Sequence, residues 1–180
     1  DMLLGEAGDD TLVGGSGIDS FDGGEDIDTI DFSKAFGTLG ANVRLKNGFV
    51  LDTYQNEETA QNIENLIVTD QNVLLNVDIV ANTISGGAGG DTIGGLGGDD
   101  MLFGGDKKDN IGGGDGNDMI DGGKGNDTIF GGDTRDTITG GVGEDILFGQ
   151  KGADTITGGK DNDQIRDDKM EVSLAEFLDG

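Results

Sequence analysis

Aspartate returns at every ninth residue along much of this 180-residue chain. From Gly86 to Arg166 it stands at Asp91, Asp100, Asp109, Asp118, Asp127, Asp136, Asp145, Asp154 and Asp163, and near the N-terminus at Asp1, Asp10, Asp19 and Asp28. Carboxylates in number can do two kinds of chemistry. They can act as an acid/base pair across a scissile bond, or they can gather around a cation. The chain holds no Cys and no His, which removes disulfides, thiolate nucleophiles, His-based triads and Cys/His zinc sites. A regular recurrence suits a site repeated many times better than one active centre, so catalysis is not expected within this chain.

The elements that would position these carboxylates follow from the units around them. Residues 86–166 divide into nine consecutive nonapeptides such as GGKGNDTIF and GGVGEDILF, each with Asp at its sixth position and Ile or Leu at its eighth. Residues 5–31 give three more units, and extending that frame backwards places Asp1 at position six and Leu3 at position eight. The chain is therefore expected to be a fragment of something longer. Glycines at positions one, two and four permit tight and left-handed turns. Positions seven to nine make a short strand whose middle side chain points inward. Two turns and two strands form one coil of 18 residues, and two short parallel sheets face each other across a thin core. The expected inward set is Leu12, Phe21, Ile30, Ile84, Ile93, Leu102, Ile111, Ile120, Ile129, Ile138, Leu147, Ile156 and Ile165.

Composition sharpens the need for a cation. Acidic residues outnumber basic ones 37 to 11, for a formal net charge of −26, with 37 glycines and no proline. Such repulsion opposes a compact state, and a polar chain of this kind would otherwise be disordered. It also disfavours nucleic acid and anionic membranes as partners; no apolar run is long enough to span a bilayer as a helix. Residues 18 apart occupy equivalent turns, which stacks Asp91, Asp109, Asp127, Asp145 and Asp163 on one edge and Asp100, Asp118, Asp136 and Asp154 on the other. Like charges at the strand spacing of about 4.8 Å call for a cation between them. Ca²⁺ fits best, because it takes six to eight oxygens, carbonyls included, in flexible geometry.

The units resemble the GGxGxDxUx nonapeptide of RTX (repeats-in-toxin) proteins. The resemblance implies an all-β fold, a right-handed parallel β-roll, with one Ca²⁺ between successive same-side turns. The implied ion pairs are Asp91/Asp109, Asp109/Asp127, Asp127/Asp145 and Asp145/Asp163 on one edge, and Asp100/Asp118, Asp118/Asp136 and Asp136/Asp154 on the other, or about seven ions. Asp1/Asp19 and Asp10/Asp28 would serve the first block. It further implies a secreted, extracellular or cell-surface protein exported by a type I system, in which this module serves a larger polypeptide. Glu6, Asp26, Leu96, Lys107, Thr134, Gln150 and Asp161 replace turn glycines, and their side chains are expected to distort those turns. Lys107 and Lys108 are expected to weaken the adjacent site.

Four segments result: residues 1–31 as a first roll block, 32–85 as a β-rich bridging insertion, 86–166 as the main block, and 167–180 as a cap or secretion signal. In the insertion, Val43–Leu51 alternates around Asn47-Gly48, a hairpin pattern, and Ile63–Val68 reads as a strand. Asn82 and Ile84 resume the rhythm at positions six and eight. Ser173 and Glu176 form a candidate capping box. A second function would be binding of a protein or polysaccharide partner through outward-facing Phe130, Phe148, Phe103, Met101 and Met119. An ice-binding ladder is not expected, because position three is irregular.

Overall fold

The computed structural model describes residues 1–33, 42–44, 49–51, 57–68, 74–76 and 79–167. Every regular element among them is a strand. Numbered in chain order, one sheet runs β1 (Met2–Ala7), β3 (Ser20–Glu25), β7 (Glu57–Gln61), β6 (Phe49–Leu51), β5 (Asn42–Arg44), β9 (Leu74–Asn76), β11 (Thr92–Gly97), β13 (Asn110–Asp115), β15 (Thr128–Asp133), β17 (Ile146–Lys151) and β19 (Gln164–Arg166). The second sheet runs β18 (Thr155–Lys160), β16 (Thr137–Val142), β14 (Met119–Lys124), β12 (Met101–Asp106), β10 (Thr83–Ser85), β8 (Asn65–Ile67), β4 (Thr29–Asp31) and β2 (Thr11–Leu12). Successive strands of the chain alternate between the sheets through the main block. Strands 18 residues apart pair in parallel, as Ile111 with Ile129 and Ile120 with Ile138. This is the expected all-β solenoid.

The nonapeptide explains each strand's burial. Ile129 is fully buried while Thr128 and Phe130 on either side are only partly buried, the alternation that a pleated strand imposes. One aliphatic per unit thus builds a single file of Ile and Leu between the sheets. Phe21, Ile30, Ile84, Ile93, Leu102, Ile111, Ile120, Ile129, Ile138 and Leu147 are all buried there. Two members of the expected set depart from it. Ile156 is only partly buried and Ile165 is 49% exposed, because no further coil among the described residues covers the last turn. Leu66, Leu75, Ile63, Val68 and Phe32 join the core instead; Phe32 meets Phe21 edge to face at 6.2 Å.

The insertion interrupts the two sheets unequally. In the second sheet β8 sits between β4 and β10 in parallel register, Ile30 beside Leu66 beside Ile84. The first sheet instead takes up an antiparallel step, β5 against β6 with Val43 opposite Val50, and β6 against β7. That pairing agrees with the expected hairpin, although Asn47 and Gly48 themselves lie outside the described residues. So do Ser173 and Glu176.

The turns whose glycines are replaced are not distorted. Glu6, Asp26, Leu96, Lys107, Thr134, Gln150 and Asp161 all hold left-handed backbone angles, with φ between 66° and 82°. Pairing continues in register past them, as at Leu96 with Gly114 and Gly132 with Gln150. The repeat therefore imposes its turn on side chains that disfavour it, at roughly 1–2 kcal/mol each.

Candidate metal centre

The position-six aspartates line the two edges of the roll, and each reaches back one coil toward the residue 18 positions earlier. Oδ1 of Asp109 accepts the peptide N–H of Asp91 at 2.8 Å, Oδ1 of Asp127 accepts that of Asp109 at 2.8 Å, and the series continues through Asp145 and Asp163. On the other edge Asp118, Asp136 and Asp154 accept the N–H groups of Asp100, Asp118 and Asp136 in the same way. Asp28 accepts from Asp10 at 2.9 Å. At Asp1 the side chain stands in solvent, while the main-chain nitrogen donates to Asp19 Oδ1 at 2.9 Å.

Nearly all of these carboxylates are out of water. Asp19, Asp28, Asp91, Asp100, Asp109, Asp118, Asp127, Asp136 and Asp145 are buried, and Asp10, Asp154 and Asp163 are partly so. The second oxygen, Oδ2, has no hydrogen-bond partner in Asp10, Asp19, Asp28, Asp109, Asp118, Asp127, Asp136, Asp145 or Asp154. A buried carboxylate with an idle oxygen is costly unless a cation or a proton satisfies it.

Position-one glycines make room for that oxygen. A Cβ added to Gly122 would fall 2.6 Å from both Asp127 Oδ2 and the carbonyl oxygen of Gly140 in the next coil. A carboxylate oxygen and a carbonyl oxygen therefore converge beside a backbone that carries no side chain. Among the described residues no three carboxylates are placed to share one ion, so a bound ion must draw most of its oxygens from the main chain. That donor set, hard, oxygen-only and carbonyl-rich, fits Ca²⁺. The groups available to hold it are the idle Oδ2 atoms and the turn carbonyls.

The electrostatics of the edges point to a cation as well. Burial pushes the Asp109 carboxyl up to about 7; the N–H of Asp91 opposes this, and the charges of Asp127 and Asp91 add to it. Burial likewise raises Asp118, Asp127 and Asp136 to about 6, and it raises Asp145. The rise is the cost of confining negative charge away from water. Lys108 slightly relieves Asp127, and with Lys107 it lines a hollow of about 380 Å³ beside Asp91 and Asp109.

Two acidic residues, Glu64 and Glu58, escaped sequence reasoning. Glu64 Oε2 accepts the N–H of Asp28 at 2.9 Å across 36 residues, in the role that Asp Oδ1 plays elsewhere. Asn82 follows it, donating its N–H to Asp100 Oδ1 at 2.8 Å and its Nδ2 to the Glu64 carbonyl at 2.9 Å. The second edge thus continues through the insertion, with the step from Glu64 to Asn82 made by a side-chain amide on a carbonyl instead of a side-chain oxygen on an N–H. On the first edge Glu58 is buried beside the same turn as Asp19, since Thr59 pairs with Ser20. The signal for Glu64 was its spacing of two whole coils from Asp28; Glu58, 39 residues from Asp19, had none.

A solenoid of stacked turns, edged with buried carboxylates and backed by glycine carbonyls, defines a calcium-binding repeat module. The chain belongs to the family of RTX calcium-binding nonapeptide repeats, whose model matches residues 1–31, 80–111, 94–129, 103–138, 112–147 and 130–165. No curated protein matches the chain.

Proposed function

We propose that this module folds when it binds Ca²⁺ outside the cell and serves a larger secreted polypeptide as a folding and stabilising segment. The supporting observation is the row of buried carboxylates with idle Oδ2 atoms, a charge pattern that is tolerable with cations and costly without them. Sites of about 0.1 mM affinity, the extracellular range, each contribute about 1.4 kcal/mol at tenfold excess Ca²⁺. Seven such sites in the main block contribute roughly 10 kcal/mol, comparable with the stability of a whole domain. At submicromolar Ca²⁺ the contribution vanishes, which keeps the chain extended before export. The aspartates then have a structural task, and the module itself is non-catalytic. No helix among the described residues is long and apolar enough to cross a membrane.

Circular dichroism across a Ca²⁺ titration tests the reading. Strand signal should grow cooperatively with Ca²⁺ and be lost on chelation. Full strand signal in excess chelator at neutral pH would end it.

A further inference from the structure

Position-nine residues of the first sheet form their own ladder on its outer face: Gly94, Gly112, Phe130, Phe148 and Arg166. The rings of Phe130 and Phe148 stack with centroids 4.9 Å apart and planes 3° from parallel. Arg166 closes the far side of the stack, its guanidinium carbon 5.7 Å from the Phe148 centroid. On the near side the next rung is Gly112, which offers no side chain to cover Phe130. A groove of about 290 Å³ opens there, bounded by Gly94, Leu96, Gly112, Gly114, Phe130 and Gln150.

The backbone does not require glycine at this rung. Gly112 lies outside the left-handed region, and a Cβ added to it would meet nothing within 4 Å. Most turn glycines, by contrast, would collide with a neighbouring coil. The uncovered face of Phe130 is thus an opening that the fold alone did not demand.

We infer that this slot takes the guanidinium of an arginine on a basic peptide segment of a partner protein. Arg166 already holds the opposite face of the same stack, so the π surface is suited to a flat cation. Arginine stacks on aromatic faces better than lysine, because its planar, weakly hydrated charge lies flat. The formal net charge of −26 stays negative after about seven Ca²⁺ ions are counted, so it still draws basic segments toward the roll and gives a neutral saccharide no such guidance. The slot exists only on the ordered roll, so partner binding follows calcium binding.

The test is fluorescence anisotropy in excess Ca²⁺ with two labelled peptides of equal charge, alternating glycine with arginine or glycine with lysine. The arginine peptide should bind more tightly than the lysine peptide. Phe130→Ser and Gly112→Leu, which removes or covers the ring face, should each weaken it about 5- to 30-fold and leave the lysine peptide unchanged. Gly112→Leu retains the phenylalanine, so it remains decisive if Phe130→Ser loosens the sheet; circular dichroism on the same samples reads folding separately. Equal affinity for the two peptides, or an arginine peptide indifferent to both variants, would overturn the inference in favour of bulk charge attraction. So would a neutral maltooligosaccharide whose binding is lost in Gly112→Leu while the arginine peptide is unaffected.

Discussion

Asp127 reaches back one coil to Asp109: its Oδ1 accepts the Asp109 N–H at 2.8 Å, and its Oδ2 is left buried with no hydrogen-bond partner. One carboxylate therefore performs two separable tasks, joining coils and presenting an oxygen to a cation. Asp127→Asn keeps an acceptor for the N–H but removes the charge. It should shift the Ca²⁺ midpoint upward and lower the number of ions bound in equilibrium dialysis. Asp127→Ala should in addition orphan the Asp109 N–H, costing a further 1–3 kcal/mol or so in denaturant unfolding with Ca²⁺ present.

Protons should partly replace calcium. The folded-state carboxyls of Asp109, near 7, and of Asp118, Asp127 and Asp136, near 6, lie above the ordinary value of 3.8. Between about pH 4 and pH 7 the folded state then binds more protons than the unfolded one, so stability falls as pH rises through that window. Metal-stripped protein should gain strand signal on acidification from pH 8 to pH 5. With Ca²⁺ the sign reverses, because protons compete for the same oxygens, and the Ca²⁺ midpoint should rise below about pH 6.

The strained turns give a graded series. Thr134, β-branched and at φ 81°, should become easier to accommodate as Thr134→Gly, with stability rising by about 1 kcal/mol. Gly122→Ala drives a methyl against Asp127 Oδ2 and the Gly140 carbonyl and should cost about 1–3 kcal/mol. Thermal midpoints at saturating Ca²⁺ measure both.

Glu64 is the stitch between the first block and the rest. Glu64→Ala should expose residues 1–31 to faster hydrogen exchange and proteolysis while sparing residues 86–166. Glu64→Gln, which retains an acceptor for the Asp28 N–H, should behave much more like the parent.

Sequence alone carried most of the repeat architecture. Fixed Asp and Ile positions determine the coil, its inward file and the two carboxylate edges, because an 18-residue period leaves few ways to stack. Three features were not legible. The ends escaped, since Ile165 obeys the pattern yet no coil among the described residues covers it. The turn at Thr134 escaped, because composition shows that a side chain is unwelcome and not that the neighbouring coils force it to comply. Glu64 escaped because a residue one methylene longer than Asp breaks the motif without breaking the geometry.

In the main block the position-six carboxylates all point one way, each accepting the N–H of the aspartate 18 residues earlier. This gives the solenoid a polarity that its near-symmetric repeats conceal. A chain that becomes ordered from its C-terminal end offers every arriving coil a carboxylate already in place. Ordering from the other end leaves each new amide waiting for an acceptor not yet seated. The two ends of the main block are therefore chemically unlike, one offering a carboxylate and the other an amide to whatever coil is added next.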